Sequence, residues 1–221
     1  CIMELKKTTL EKVEELIERY PALAVCREDL RAAVQAICES YAGGHKLLVC
    51  GNGGSASDSE HIVGELMKGF LLPRKLGAQE QQAFERACPA SAAYLMENLQ
   101  GTLPAVSLVN SVGLGTAFAN DQAPDLVFAQ QVLGLGAAGD VLIAISTSGS
   151  SQNVLYALDV ARAKGLRTIA LTGEKGGRMA AEHLAETVIR VPATETFKIQ
   201  EYHLPVYHML CIAAENEFFG A

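Results

Sequence analysis

Residues 46–61, KLLVCGNGGSASDSEH, hold the decisive pattern: an apolar run, a glycine-rich turn, and helix-forming sequence that continues to about Gly69. An apolar run without polar alternation (Lys46–Cys50) reads as a strand buried on both faces, as in a parallel sheet. Gly51, Gly53 and Gly54 let the backbone turn tightly and approach a ligand. Free N–H groups at the start of the following helix favour an anion or a polar sugar. The spacing is not GxGxxG, and no acidic ribose-binding residue follows a second strand at the usual distance, so no nucleotide cofactor is expected.

The same alternation continues downstream. Ala105–Val109, Asp140–Ile145, Arg167–Leu171 and Thr187–Val191 read as strands, and Gly113–Asn120 as a short helix or turn. Leu126–Leu133, Ser151–Lys164, Met179–Ala185 and Lys198–Phe219 read as helices. The expected fold class is α/β, one domain over 1–221 with a central parallel sheet flanked by helices in three layers. Upstream, residues 4–20 carry an apolar stripe at helical spacing ended by Pro21, and 27–42 form a second helix closed by Gly43-Gly44. Residues 71–103 break the rhythm. Their mixed polarity reads as one or two short helices, a helical insertion that is either plain surface or a lid or subunit contact.

Composition narrows the function classes. The 221 residues are 49% hydrophobic and 19% charged, enough for a packed core and unlike a disordered chain. A net charge of −7 argues against nucleic acid as a partner, because no Lys/Arg excess is present to hold a phosphate backbone. No apolar run reaches the roughly 18–20 residues of a membrane span, and the charged N-terminal stretch is unlike a secretory signal. The six cysteines are scattered without a CxxC pair, which reads as reduced, mostly buried thiols and a cytoplasmic location.

Three further segments bear on chemistry. Ser146-Thr147-Ser148-Gly149-Ser150-Ser151 follows the strand DVLIAI and precedes a helix, at the strand end where open α/β sheets bind ligands. Its five hydroxyls suit a phosphomonoester, each oxygen of which accepts several hydrogen bonds. No Walker lysine accompanies it, so triphosphate chemistry is not expected. His61 and Glu65, at i and i+4, project from one helix face. That spacing serves a metal, an acid–base pair or a plain surface contact equally well. Lys198–His208, KIQEYHLPVYH, opens the terminal helix with Gln200, His203 and His208 in apolar surroundings. His203 there reads as a core residue.

Taken in order, CGNGGSASDSEH, AFANDQ, ISTSGSSQNV, LTGEKGG and KIQEYHLPVYH resemble the sugar isomerase (SIS) domain family, and within it the phosphoheptose isomerases. The resemblance spans roughly 30–219, outside 71–103. It implies isomerisation of sedoheptulose 7-phosphate to D-glycero-D-manno-heptose 7-phosphate through an enediol. By position it places the substrate loop on Asn52, Gly53, Gly54 and Ser55, joined by Asn120, Asp121 and Gln200. The phosphate pocket falls on Ser146, Thr147, Ser148 and Ser151. The family's catalytic glutamate matches Glu65 and its catalytic histidine matches His208. Zinc is implied on His61, Glu65, Gln200 and His208, together with a homotetramer whose active sites lie between subunits.

The chemistry agrees with these roles. Aldose–ketose isomerisation moves one proton between C1 and C2 and another between their oxygens, with a phosphate clamp aligning the chain. Glu65 suits the base, and His208, titrating near neutrality, the acid. Two features cut across the resemblance. Gln200 and His208 are about 12 Å apart along a straight helix, too far for one metal unless Pro205 bends it or two subunits contribute. Phe197 stands where family members often carry an acidic or polar residue. The competing expectations are a non-catalytic SIS module that binds a sugar phosphate or a protein partner of the replication-initiator type, and an isomerase for another phosphosugar. The first would be expected to have lost the Glu65–His208 couple.

Overall fold

β1 (Leu47–Gly51) and β3 (Val141–Ile145) are buried at every position, which is why both read as continuous apolar runs. They lie side by side and parallel, with Gly51 opposite Ile145 at their C-terminal ends. The computed structural model describes residues 3–221; Cys1, one of the six thiols, lies outside them. β2 (Ala105–Ser107), β4 (Arg167–Gly173) and β5 (Thr187–Val191) complete a sheet of order β2-β1-β3-β4-β5, parallel at each pairing.

Alternate side chains divide the interior into two cores, one on each face. Leu47, Val49, Ile143, Ile145, Ile169 and Leu171 point into the larger core. It is covered by α1 (Lys7–Arg19), α2 (Arg27–Ala42), α3 (Gly54–Met67) and α10 (Thr196–Phe219). Leu48, Cys50, Leu142, Ala144 and Ala170 point the other way. They meet α7 (Val127–Leu135), α8 (Gln152–Ala163) and α9 (Gly177–Ala181). Each fully buried Leu or Ile contributes about 1.5–3 kcal/mol, so these two layers are the main stabilising term.

The expected elements are present with their ends adjusted. Pro21 does not simply end the first helix; it opens a 3₁₀ turn, Pro21–Cys26, that leads directly into α2. The second strand stops at Ser107 rather than Val109. The last helix begins at Thr196 and runs unbroken through Pro205 to Phe219. Residues 71–103 contain two helices, α4 (Ala78–Ala87) and α5 (Pro89–Asn98), of which only Ala92 is buried. Their base is closed by Gly101 N–H donating to Arg74 O at 2.7 Å and Leu103 N–H donating to Leu66 O at 3.0 Å. α6 (Val112–Asp121) buries no residue, and Val112 is 72% exposed. Among the described residues, no helix is long and apolar enough to cross a membrane.

His203 lies in the larger core with 0% exposure, as its apolar context suggests, and its Nε2 faces Thr172 O at 3.2 Å. Burial pushes its pKa down to about 4. In the unfolded chain the imidazole titrates near 6.5, so between these values the unfolded state binds the extra proton. Stability is therefore expected to fall as pH drops from about 6.5 to 4, by on the order of 3 kcal/mol. Melting temperature against pH measures this. His203→Leu should flatten the decline, whereas an unchanged slope in that variant would reject the assignment.

Candidate active site

The strand order reverses between β1 and β3, so the loops leaving their C-terminal ends diverge and open a crevice. Open α/β sheets bind ligands at such a switch point. The glycine loop leaves β1 here and the serine loop leaves β3. Gly53 takes φ +57°, a conformation that favours glycine, and leads into the first turn of α3. Asn52 exchanges two hydrogen bonds of 2.9 Å with Asn153 on α8, tying the two loops together across the crevice. Ser55 is buried under the loop, while Gly54 is exposed.

Ser146, Ser148 and Ser151 converge. Ser146 Oγ is 2.9 Å from Ser151 Oγ and 3.4 Å from Ser148 Oγ. Ser151 occupies the N-cap of α8 without capping it; its hydroxyl is drawn into this cluster and away from the helix amides. The free N–H groups of α8 and three mobile hydroxyl protons thus face one place, suited to a phosphate. Thr147 is held through its carbonyl, which accepts from Gly173 N–H at 3.2 Å. Of the five hydroxyls expected to converge, Ser150 does not: its Oγ accepts from Arg178 N–H at 3.1 Å and fastens the loop to α9. Gly149 (φ +65°) passes so close to Gly176 that a Cβ would collide with its carbonyl oxygen.

A second cluster forms where α3 and α10 run alongside each other in the same direction. His61 Nε2 is 3.2 Å from Glu65 Oε1, and the His61 and His208 ring centroids are 4.9 Å apart, edge to face. The Tyr207 hydroxyl donates to Asp58 Oδ1 at 3.2 Å, so it accepts from His61 Nδ1–H at 2.9 Å. That chain fixes the imidazole with Nε2 turned toward Glu65. Lys68 Nζ approaches the other Glu65 oxygen at 3.3 Å. Burial, then the neighbouring His61, push the pKa of His208 below the ordinary imidazole value, which favours the neutral ring. A neutral imidazole both donates and accepts a proton. Asp58 and Tyr207 were not singled out from the sequence. Their only signal was Asp58 one helical turn before His61 and Tyr207 directly before His208.

Gln200 belongs to a different level. Its amide packs against Gly54, where an added Cβ would come within 2.6 Å of Nε2. Because α3 and α10 are aligned, Gly54 faces Gln200 about two turns before His61 faces His208. The unbroken helix through Pro205 therefore keeps Gln200 from the other three residues matched to zinc. Among the described residues, no group of three or more His, Cys, Asp or Glu side chains is disposed to hold a metal ion. One feature does fit a bound cation: the buried Nε2 of His208, beside His61 and Glu65, has no hydrogen-bond partner.

Within one chain the serine cradle and the Glu65–His208 couple stand apart, since Glu65 lies about 16 Å along α3 from the glycine loop. Asn120 and Asp121, at the exposed end of α6, hydrogen-bond each other at 2.8 Å. A surface hollow of about 580 Å³ beside Tyr20, Glu174, Lys198 and Tyr202 contains none of the candidate residues.

The family model described as SIS domain matches residues 10–107 and 102–173. The phosphoheptose isomerase of Citrifermentans bemidjiense is 39% identical over 190 residues, covering 86% of this chain and 84% of that protein. The phosphoheptose isomerase of Akkermansia muciniphila is 35% identical over 205 residues, covering 93% and 94%. Among solved structures, a phosphoheptose isomerase from Neisseria gonorrhoeae superposes with a TM-score of 0.70 at 32% identity, covering 92% and 94%.

Proposed function

The chain belongs to the SIS domain family, among its phosphoheptose isomerases, and on that premise we propose how its own residues carry out an aldose–ketose isomerisation. The substrate is sedoheptulose 7-phosphate and the product an aldoheptose 7-phosphate. The observation that carries the assignment of roles is the Glu65–His61–His208 cluster, with a carboxylate and a neutral imidazole at adjoining positions. It also disfavours a non-catalytic module, in which this couple would have no task.

The phosphate is held by Ser146, Thr147, Ser148 and Ser151 with the amides of α8, and the sugar hydroxyls by Asn52, Gly53, Gly54, Ser55, Asn120, Asp121 and Gln200. The Glu65 carboxylate takes a proton from C1 and the resulting enediol receives it back at C2. His208 moves the second proton, giving one to O2 as O1 loses one. Protons balance and no external oxidant is needed. Glu65 suits the task because Lys68 holds one carboxylate oxygen while the other lies against His61 Nε2. The fixed distance of the phosphate from the carbonyl turns an encounter into an aligned reaction.

The separation of cradle and couple along α3 favours an active site completed by a second subunit. A homotetramer is the assembly we propose, with the uncovered apolar side chains of α6 as one contact. Zinc belongs to the same proposal: His61, Glu65, Gln200 and His208 would hold it only after their side chains shift to converge or with a second subunit contributing. Bound there, the metal would polarise a sugar oxygen as a Lewis acid. The free thiols Cys26, Cys38, Cys50, Cys88 and Cys211 support a reducing, cytoplasmic compartment.

The test is direct. Purified protein incubated with sedoheptulose 7-phosphate should produce an aldose signal at C1 in the proton NMR spectrum. No conversion, with zinc supplied and with zinc withheld, would reject the activity.

A further inference from the structure

Arg74, at the entrance to residues 71–103, is 1% exposed, and its partner Glu215 on α10 is equally buried. The guanidinium Nε donates to Glu215 Oε1 at 2.8 Å, while Nη2 donates to the carbonyl of Glu65 at 2.9 Å and Nη1 to that of Leu66 at 2.5 Å. Those carbonyls belong to the last turn of α3, where helix carbonyls have no partner within the helix. Glu215 spends its remaining capacity on the N–H groups of Phe70, Leu71 and Leu72, at 2.8, 2.8 and 3.1 Å. Each guanidinium nitrogen and both carboxylate oxygens therefore have a partner, and the chain leaving α3 is wrapped around the pair.

Placement gives the pair its meaning. Glu215 follows His208 by two turns of α10 and lies on the same face, toward α3. His208 meets the Glu65 region through its side chain; Glu215 meets the Glu65 backbone through Arg74. We propose that Arg74, clamped by Glu215, is a positioning residue that fixes the Glu65 carboxylate relative to His208. The planar fork is what the site requires, because one cation bridges two carbonyls and a carboxylate in a fixed plane. Burial alone raises the pKa of Glu215, but the Phe70 and Leu71 amides and Arg74 outweigh it and hold the carboxyl below its ordinary value. Those contacts thus favour the charged form of Glu215.

The inference rests on the reading of Glu65 as base, so the experiment carries Glu65→Gln beside the clamp variants. Removing one partner alone strands a buried charge, whereas removing both leaves no charge and releases only the backbone groups the pair had held, the Glu65 and Leu66 carbonyls and the Phe70, Leu71 and Leu72 N–H groups. The double variant Arg74→Met/Glu215→Met is expected to stay folded by circular dichroism and to bind sugar phosphate with KM near that of the parent. Its kcat should be lower by about 10- to 100-fold, the scale of a misplaced catalytic group. Arg74→Lys keeps the charge but not the fork; it should give an intermediate kcat with KM again unmoved, and it serves alone if the double variant does not fold. A parental kcat in a folded clamp variant, or a loss confined to KM, would overturn the positioning role. If Glu65→Gln itself keeps parental turnover, the reading of the base fails instead.

Discussion

Glu65→Gln is expected to lower kcat for sedoheptulose 7-phosphate by about 100- to 10,000-fold while KM stays within a factor of about three. Glutamine matches glutamate in size and keeps a contact with His61 Nε2 and an acceptor for Lys68, both of which now face the carboxylate. What it cannot do is take a proton from carbon. Because the cradle lies at the other end of α3, phosphate affinity should be untouched. Steady-state kinetics with calorimetric binding of the sugar phosphate separates the two effects. A comparable loss in affinity would mean that Glu65 mainly binds, and a parental kcat would remove it from the chemistry.

The second large effect is expected at the cradle, with the opposite signature. Ser146→Ala/Ser151→Ala removes the closest hydroxyl pair, 2.9 Å apart at the start of α8. Hydrogen bonds to a charged group are worth about 1.5–3 kcal/mol each, so KM should rise on the order of 100-fold or more. The fold should survive, since Gly149, Thr147 and Ser150 anchor the loop to the 173–179 segment by accepting from Met179, Gly173 and Arg178 N–H. The diagnostic is a dephosphorylated substrate, sedoheptulose. Parent and double variant should handle it equally poorly if these hydroxyls act on the phosphate, and unequally if they act on the sugar.

Much of the fold and part of the site are legible in the amino-acid sequence alone. Leu47–Cys50 and Val141–Ile145 announce themselves as central strands because both faces are covered, so no polar residue interrupts them. The loops that follow carry glycine and serine for backbone reasons that act locally. The pairing of His61 with Glu65 on α3 is legible for the same reason, since the two differ by one helical turn. Other features depend on distant segments and leave little local trace. Arg74 looks like a surface cation after Leu71-Leu72-Pro73, and only Glu215, 141 positions later, explains its burial. Ser150 is chemically indistinguishable from its neighbours until Arg178 N–H claims its hydroxyl. The separation of Gln200 from His208 follows from helical rise, but its matching partner, Gly54, requires the alignment of α3 with α10. Helices α4, α5 and α6 bury almost nothing within one chain, so no core-facing pattern marks them in the sequence.

The most direct measurement is a crystal structure of Glu65→Gln with sedoheptulose 7-phosphate bound. The account predicts the phosphate within hydrogen-bonding distance of Ser146, Ser148 and Ser151, and C1 and C2 beside position 65 and His208, from the same or an adjoining subunit. A sugar bound in the cradle with its C1–C2 edge far from positions 65 and 208 of every subunit would contradict it.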